Sequence, residues 1–348
     1  PGQAKRTISL FLGGGRTQAG HVGNGVGVNT YRLRTDDALW FVPEVEVRKT
    51  GRRTQLASTQ LHHSMQGRDL VRTRRFDEFV NREIPKPEKT EKPERDETLY
   101  NFRAMLTAEH QWGMVINLNT CIGCNACVVA CQSENNIPIV GKDQVWRGRE
   151  MHWIRIDRYY EGEPESPKLY HQPVPCMHCE TAPCELVCPV EATLHSAEGL
   201  NQQIYNRCIG TRYCSNNCPY KVRRFNFLQF ADTKTPSLQL GWNPQVTVRS
   251  RGVMEKCTYC VQRIRTAEID AEKENRPVQD GEIIPACAQV CPGQAITFGD
   301  VSNANNRVAR LKASPLNYGL LDELNTRPRT TYFAKVIGGS SAAGTSAK

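Results

Sequence analysis

The sequence predicts an α+β fold in which one small module occurs twice, and three observations predict it. All fifteen cysteines lie between Cys121 and Cys291, in four tight groups. The groups echo one another in spacing and in flanking residues, as an internal repeat does. Short apolar stretches with strand-like alternation separate them, not long amphipathic runs. An odd number of thiols clustered in this way is not a disulfide framework.

The first group, Cys121, Cys124, Cys127 and Cys131, has the C-x2-C-x2-C-x3-C spacing of bacterial two-cluster ferredoxins. The second is Cys176, Cys179, Cys184 and Cys188, followed by Pro189, and the third is Cys208, Cys214 and Cys218. The fourth splits into Cys257 with Cys260, then Cys287 with Cys291 before Pro292. "CIGCNAC" at 121–127 matches "CIGTRYC" at 208–214, which places Thr211 where Cys124 stands in the first copy. "CELVCPVEAT" at 184–193 matches "CAQVCPGQAI" at 287–296. The chain therefore reads as duplicated two-cluster ferredoxin modules, with strands and a helix inserted between the cysteine groups.

In such a module the tight loop gives three thiolates to one cluster, and the fourth cysteine ligates the other cluster. Applied here, one cluster takes Cys121, Cys124, Cys127 and Cys291, and another takes Cys257, Cys260, Cys287 and Cys131. A third takes Cys176, Cys179, Cys184 and Cys218. Only Cys208, Cys214 and Cys188 remain for the last, with Thr211 at the empty corner. A threonine hydroxyl does not readily replace a thiolate, so three [4Fe-4S] clusters and one [3Fe-4S] cluster are expected. A four-iron cluster with water or hydroxide on its fourth iron is the alternative occupant of that last site. Zinc sites close with four ligands and do not call for C-x2-C-x2-C triplets. His178, inside "CMHCE", is surplus to the thiol count and is expected to be a packing residue.

Along the chain, residues 1–80 contain no cysteine and are expected to form a small β-rich segment, with a hairpin in "FVPEVEVRKTGRRTQLAST" (41–59) around Thr50-Gly51. "GHVGNGVGVN" (20–29) is rich in glycine but lacks the order and context of a nucleotide loop. Residues 81–98, including "IPKPEKTEKPERDET", read as a charged, proline-rich linker. The four-cluster domain spans 99–336. Within it "GMVINL" (113–118) and "MHWIRIDRYY" (151–160) read as strands. Residues 259–276 read as a helix with Val261, Ile264 and Ala271 on one side, stopping before Pro277. Residues 337–348 form a small-residue tail.

Composition excludes two function classes. The formal charge is +9, but each cluster with its thiolates carries roughly −2. Four clusters bring the net charge to about +1, and "YKVRRF" (220–225) lies beside one cysteine group. No nucleic-acid partner is expected. No run approaches the ~20 apolar residues of a membrane helix. The chain begins "PGQAKRTISLFLGGG", a poor signal peptide that starts with Pro1, and it is expected to be a processed product or part of a longer chain.

The four groups, their order and the cysteine-poor third group resemble the electron-transfer subunits of dimethyl-sulfoxide-, nitrate- and polysulfide-reductase-type molybdoenzymes. Residues 113–160, 206–227 and 320–336 are similar above all to the iron–sulfur (B) subunit of alternative complex III. Upstream, "HVGNGVGVN" (21–29) and "TQLHHSMQGRDLVR" (59–72) resemble the end of a molybdopterin-enzyme-like region that precedes the ferredoxin part there. The resemblance implies the same three [4Fe-4S] and one [3Fe-4S] clusters and no molybdopterin in this chain. It implies no substrate chemistry by the chain alone, and a peripheral place on the extracytoplasmic face of a membrane complex. The implied partners are a polytopic quinol-binding membrane subunit, c-type cytochrome subunits, and an upstream molybdopterin-like part of the same subunit. The alternative function is the electron-transfer subunit of a respiratory molybdenum or tungsten reductase.

Overall fold

The computed structural model describes residues 6–81 and 105–338. Its centre is a four-stranded sheet in the order Asn317–Tyr318, Thr330–Phe333, Trp112–Asn117, Ile296–Asp300. Trp112–Asn117 is paired on both sides, parallel to Thr330–Phe333 and antiparallel to Ile296–Asp300. Trp112, Met114, Val115 and Ile116 are all buried. A strand covered on both faces reads as a continuous apolar run, which is why "WGMVIN" does not alternate strictly.

The duplication is visible in the backbone. Trp112–Asn117 leads into Cys121 and pairs antiparallel with Ile296–Asp300, which follows Cys291. In the other copy Asn201–Gln203 leads into Cys208 and pairs antiparallel with Thr193–His195, which follows Cys188. Left-handed residues recur at matching places: Gly123 and Gly210, Asn125 and Arg212, His178 and Tyr259, Glu191 and Gln294. Between the groups lie an antiparallel hairpin, Arg155–Glu161 with Lys168–Val174, and the helix Val261–Lys273. Ile264, Ala267 and Ala271 form the buried face of that helix, with Val261 packed at its start. The strand expected over 151–160 begins only at Arg155. Met151, Trp153 and Ile154 ahead of it are buried outside the ladder, and Trp153 Nε1 donates to Glu255 Oε2 at 3.2 Å.

Residues 6–81 differ from the expected β-rich segment. Among the described residues there, the one named strand is Thr73–Arg75, which pairs parallel to Lys335–Ile337. The hairpin expected over 41–59 does not form. Val45 and Val47 are exposed, as are the charged residues around them. An isolated two-stranded hairpin with neither face covered is marginal in water. What the segment does form is a strap. Gln60 and Arg158 exchange hydrogen bonds of 3.0 and 2.7 Å, and Tyr160 N donates to His63 O at 2.8 Å. Gln172 Nε2 donates to Leu70 O at 2.9 Å, and Val71 is buried. The glycine-rich stretch closes a turn in which Gly15 N donates to Val26 O at 2.8 Å. A Cβ at Gly15 would fall 2.5 Å from Asn29 N, so only glycine fits there. The expected linker lies outside the described residues apart from Asn81, and the expected tail apart from Ile337 and Gly338.

Candidate metal centres

All fifteen cysteines are free thiols, and the fold gathers them into four sets. Cys121, Cys124, Cys127 and Cys291 line one pocket. Burial, then the charges of Cys121, Cys291 and Cys124, push the Cys127 thiol up to about 12. Burial, followed by Cys257, Cys260 and Cys287, raises Cys131 well above its ordinary value. Cys176, Cys179, Cys184 and Cys218 line another pocket, where burial and the other three raise Cys179. Cys188, Cys208 and Cys214 line the last, together with Thr211. The first, third and fourth of these sets each share a pocket, and the thiols of the second lie near enough to influence one another.

Short helices make the exchange of the fourth thiol possible. Cys127 and Cys131 are both buried on the helix Ala126–Glu134, four residues apart, so one helix serves two adjacent sets. Cys214 lies in the helix Tyr213–Asn217, and Cys218 caps its end. Each helix is entered through a left-handed residue, Asn125 or Arg212. Backbone N–H groups point at sulfur in repeated fashion. Ala192 N donates to Cys188 Sγ at 3.1 Å, and Ala295 N to Cys291 Sγ at 3.3 Å. His178 N donates to Cys176 Sγ and Tyr259 N to Cys257 Sγ, both at 3.5 Å.

Paired thiol repulsion, burial and N–H donors aimed at sulfur are the surroundings of a bound thiolate cluster. Among the described residues, no three Cys, His, Asp or Glu side chains come close enough to hold a single metal ion. The thiols of the first, third and fourth sets instead line shared pockets, which fits a polynuclear cluster better than one tetrahedral zinc. The donor sets therefore fit iron–sulfur clusters.

The sets follow one another in a row. Cys287 of the second set feels Cys127 of the first, and Cys257 of the second feels Cys176 of the third. The third and fourth meet across the buried Arg223. Burial alone would lower this guanidinium, but Cys184 and Cys214, with Cys176 and Cys218, hold it raised. Its Nη1 donates to Cys184 Sγ at 3.4 Å, and its Nη2 donates to Thr193 Oγ1 at 2.7 Å. Cys124 in the first set and Thr211 beside the fourth are both exposed.

Three features of the middle of the row carry no signal in the spacing. Lys256 is fully buried, and its Nζ donates to the carbonyls of Asn201 and Cys257. Among the described residues it has no carboxylate partner. His178 and Tyr259, which hold matching places in the two copies, stack at 3.7 Å between the second and third sets. His178 Nδ1 accepts from Asn201 N at 3.1 Å, and burial drives its imidazole well below the ordinary value. Its Nε2 is buried and has no hydrogen-bond partner among the described residues. Arg249 and Glu255 form a buried ion pair at 2.9 Å beside Trp153.

Two family models, each described as a 4Fe-4S dicluster domain, match residues 120–192 and 167–235. The chain is 40% identical over 230 residues to the iron–sulfur cluster-binding subunit of menaquinone reductase from Nitratidesulfovibrio vulgaris, covering 65% of this chain and 89% of that one. It is 32% identical to iron–sulfur subunit 1 of an Hdr-like menaquinol oxidoreductase from Archaeoglobus fulgidus, over 66% of this chain and 85% of that one. It is 30% identical to the B component of polysulfide reductase from Wolinella succinogenes, over 63% of this chain and 92% of that one. With two ferredoxin-type dicluster modules, four gathered thiol sets and this likeness over most of the relatives' length, the chain belongs to the family of iron–sulfur electron-transfer subunits of menaquinone-linked and dimethyl-sulfoxide- and polysulfide-reductase-type oxidoreductases.

Proposed function

We propose that this chain is the electron wire of a membrane-associated quinone-linked oxidoreductase, connecting a quinol-binding membrane subunit with a catalytic subunit of the molybdenum or tungsten class. The observation that carries the reading is the row of four thiol sets, which reaches the surface at Cys124 and at Thr211. The fifteen cysteines are the ligands, in the crosswise sets given above, for three [4Fe-4S] clusters and one [3Fe-4S] cluster, the last at Thr211. Bound clusters supply one-electron relay. The protein's part is to bury the thiolates, aim N–H donors at them and place fixed charge beside them. Residues 99–336 are the four-cluster domain, and residues 60–71 ahead of it serve as a strap. Relatives named as menaquinone, menaquinol, dimethyl sulfoxide and polysulfide enzymes support the quinone link and the reductase class. A second reading is an alternative complex III type subunit on the extracytoplasmic face passing electrons to c-type haems, supported by the resemblance of residues 113–160, 206–227 and 320–336 to that family's iron–sulfur subunit.

Metal analysis of the purified complex, with EPR, tests both readings. About 15 iron atoms per chain and a three-iron signal in the oxidised state are expected. Stoichiometric molybdenum or tungsten selects the first reading, and several haems without either metal select the second. Zinc in place of iron would end both.

Lys256 gives a further prediction. A buried cation without a carboxylate is tolerated where anionic clusters flank it. A unit charge about 8 Å away at an effective dielectric of about 20 is worth about 2 kcal/mol, or about 90 mV for one electron. Lys256→Met is therefore expected to lower the potentials of the second and third clusters by on the order of 90 mV, while Lys256→Arg restores most of the shift. EPR-monitored redox titration reads this. Unchanged potentials would show that the charge is compensated elsewhere.

A further inference from the structure

Beside Thr211 the surface opens into a cavity of about 250 Å³, the volume of about eight liquid waters. Its wall carries four guanidinium groups, Arg149, Arg212, Arg223 and Arg224, against one carboxylate, Glu150. Two of the four are already engaged. Arg224 is paired with Glu150 at 2.6 Å, and Arg223 serves the thiols of the third set. Arg149 and Arg212 have no ion-pair partner among the described residues. Both are held in place by aromatic faces. The Arg212 guanidinium lies 5.3 Å from the Phe225 ring centre and 5.2 Å from that of Phe227. Arg149 lies 5.1 Å from Phe227, and the two rings meet edge to face at 4.8 Å. In addition, Arg223 Nε and Arg224 Nη2 are buried donors without an acceptor among the described residues.

Cationic forks fixed before binding lose little entropy when they bind, and planar guanidinium groups suit bidentate contact with phosphate-type oxygens. A counter-charge role for the neighbouring cluster does not account for the whole set. The cavity and the thiol pocket share Thr211 and Arg212, but Arg149 lines the cavity alone. We propose that this cavity is a binding site for a phosphate-class oxyanion, presented either as free phosphate or as the headgroup of an anionic lipid. The residues beside the lining ones, Trp146, Ile209, Tyr213 and Leu228, are exposed and would suit the lipid-borne form.

The test uses the cluster-loaded chain. Calorimetric titration with inorganic phosphate at low chloride is one arm, and flotation with phosphatidylglycerol or phosphatidylcholine vesicles is the other. Saturable binding is expected, weakened about tenfold or more in Arg149→Gln, which leaves the thiol pocket and iron content untouched, and further in Arg149→Gln with Arg212→Gln. Arg149→Lys should retain most of it. Flotation with phosphatidylglycerol only, lost in the same variants, identifies a lipid headgroup. Phosphate binding without flotation identifies a free anion. If neither probe binds saturably, or the glutamine variants bind as the unaltered chain does, the proposal is overturned.

Discussion

Replacing Thr211 by cysteine is expected to abolish the three-iron EPR signal of the oxidised protein and to yield a new four-iron signal on reduction. The motive is the repeat: Thr211 holds the place of Cys124, both positions are exposed, and the loops around them share left-handed residues at Gly123 with Gly210 and Asn125 with Arg212. A thiol introduced there meets a backbone already shaped for it, so the fourth iron gains a ligand without rebuilding the loop. The midpoint potential should fall by on the order of 100 mV, and every ~59 mV is a factor of ten for one electron. Electron delivery from quinol should slow accordingly. The reciprocal Cys124→Thr should create a second three-iron centre at the other end of the row. If the unaltered protein shows no three-iron signal, or if Thr211→Cys leaves that signal intact, the assignment of the open corner is wrong.

Loss of Cys131 should do more damage than loss of Cys124. Cys131 is buried, and its partners Cys257, Cys260 and Cys287 come from a distant part of the chain. As a ligand of the second cluster, that thiolate would tie the helix Ala126–Glu134 to the inserted helix and to the last cysteine pair, closing a long loop that is costly to close without it. Cys124 is exposed at a corner, and its neighbours Cys121 and Cys127 lie within the same tight turn. Cys131→Ala is expected to release about four iron atoms and to cost roughly 4 kcal/mol, lowering Tm by on the order of 10 °C. Cys124→Ala should lose about one iron and leave Tm nearly unchanged. Iron assay with differential scanning calorimetry separates the two. Equal effects at both positions would contradict the crosswise arrangement.

How far the sequence could be read depended on how local each signal was. The strand at 113–118 and the helix through Ile264 and Ala271 were legible because their apolar pattern answers to a core close at hand. The same kind of alternation at 41–59 misled. A hairpin pattern specifies a hairpin only where something covers one face, and Val45 and Val47 meet solvent instead. The strap contacts of Gln60, His63 and Leu70 were invisible for a related reason. They are backbone and amide hydrogen bonds to residues about a hundred positions away, and these leave no periodic trace.

The sequence by itself determined the four cysteine groups and the repeat that relates them. Spacing within a cluster loop is a local property, set by how few residues can turn around one cage, and the repeat then predicts which thiols cross between modules. Only the tertiary structure decided the rest. It put the four sets in a row, stacked His178 on Tyr259 between two of them, buried Lys256 with no carboxylate partner among the described residues, and gathered Arg149 and Arg212 onto Phe227. Each of these depends on how two modules meet. The free energy of a buried charge or a shared cavity comes from residues that are neighbours in space and strangers in sequence.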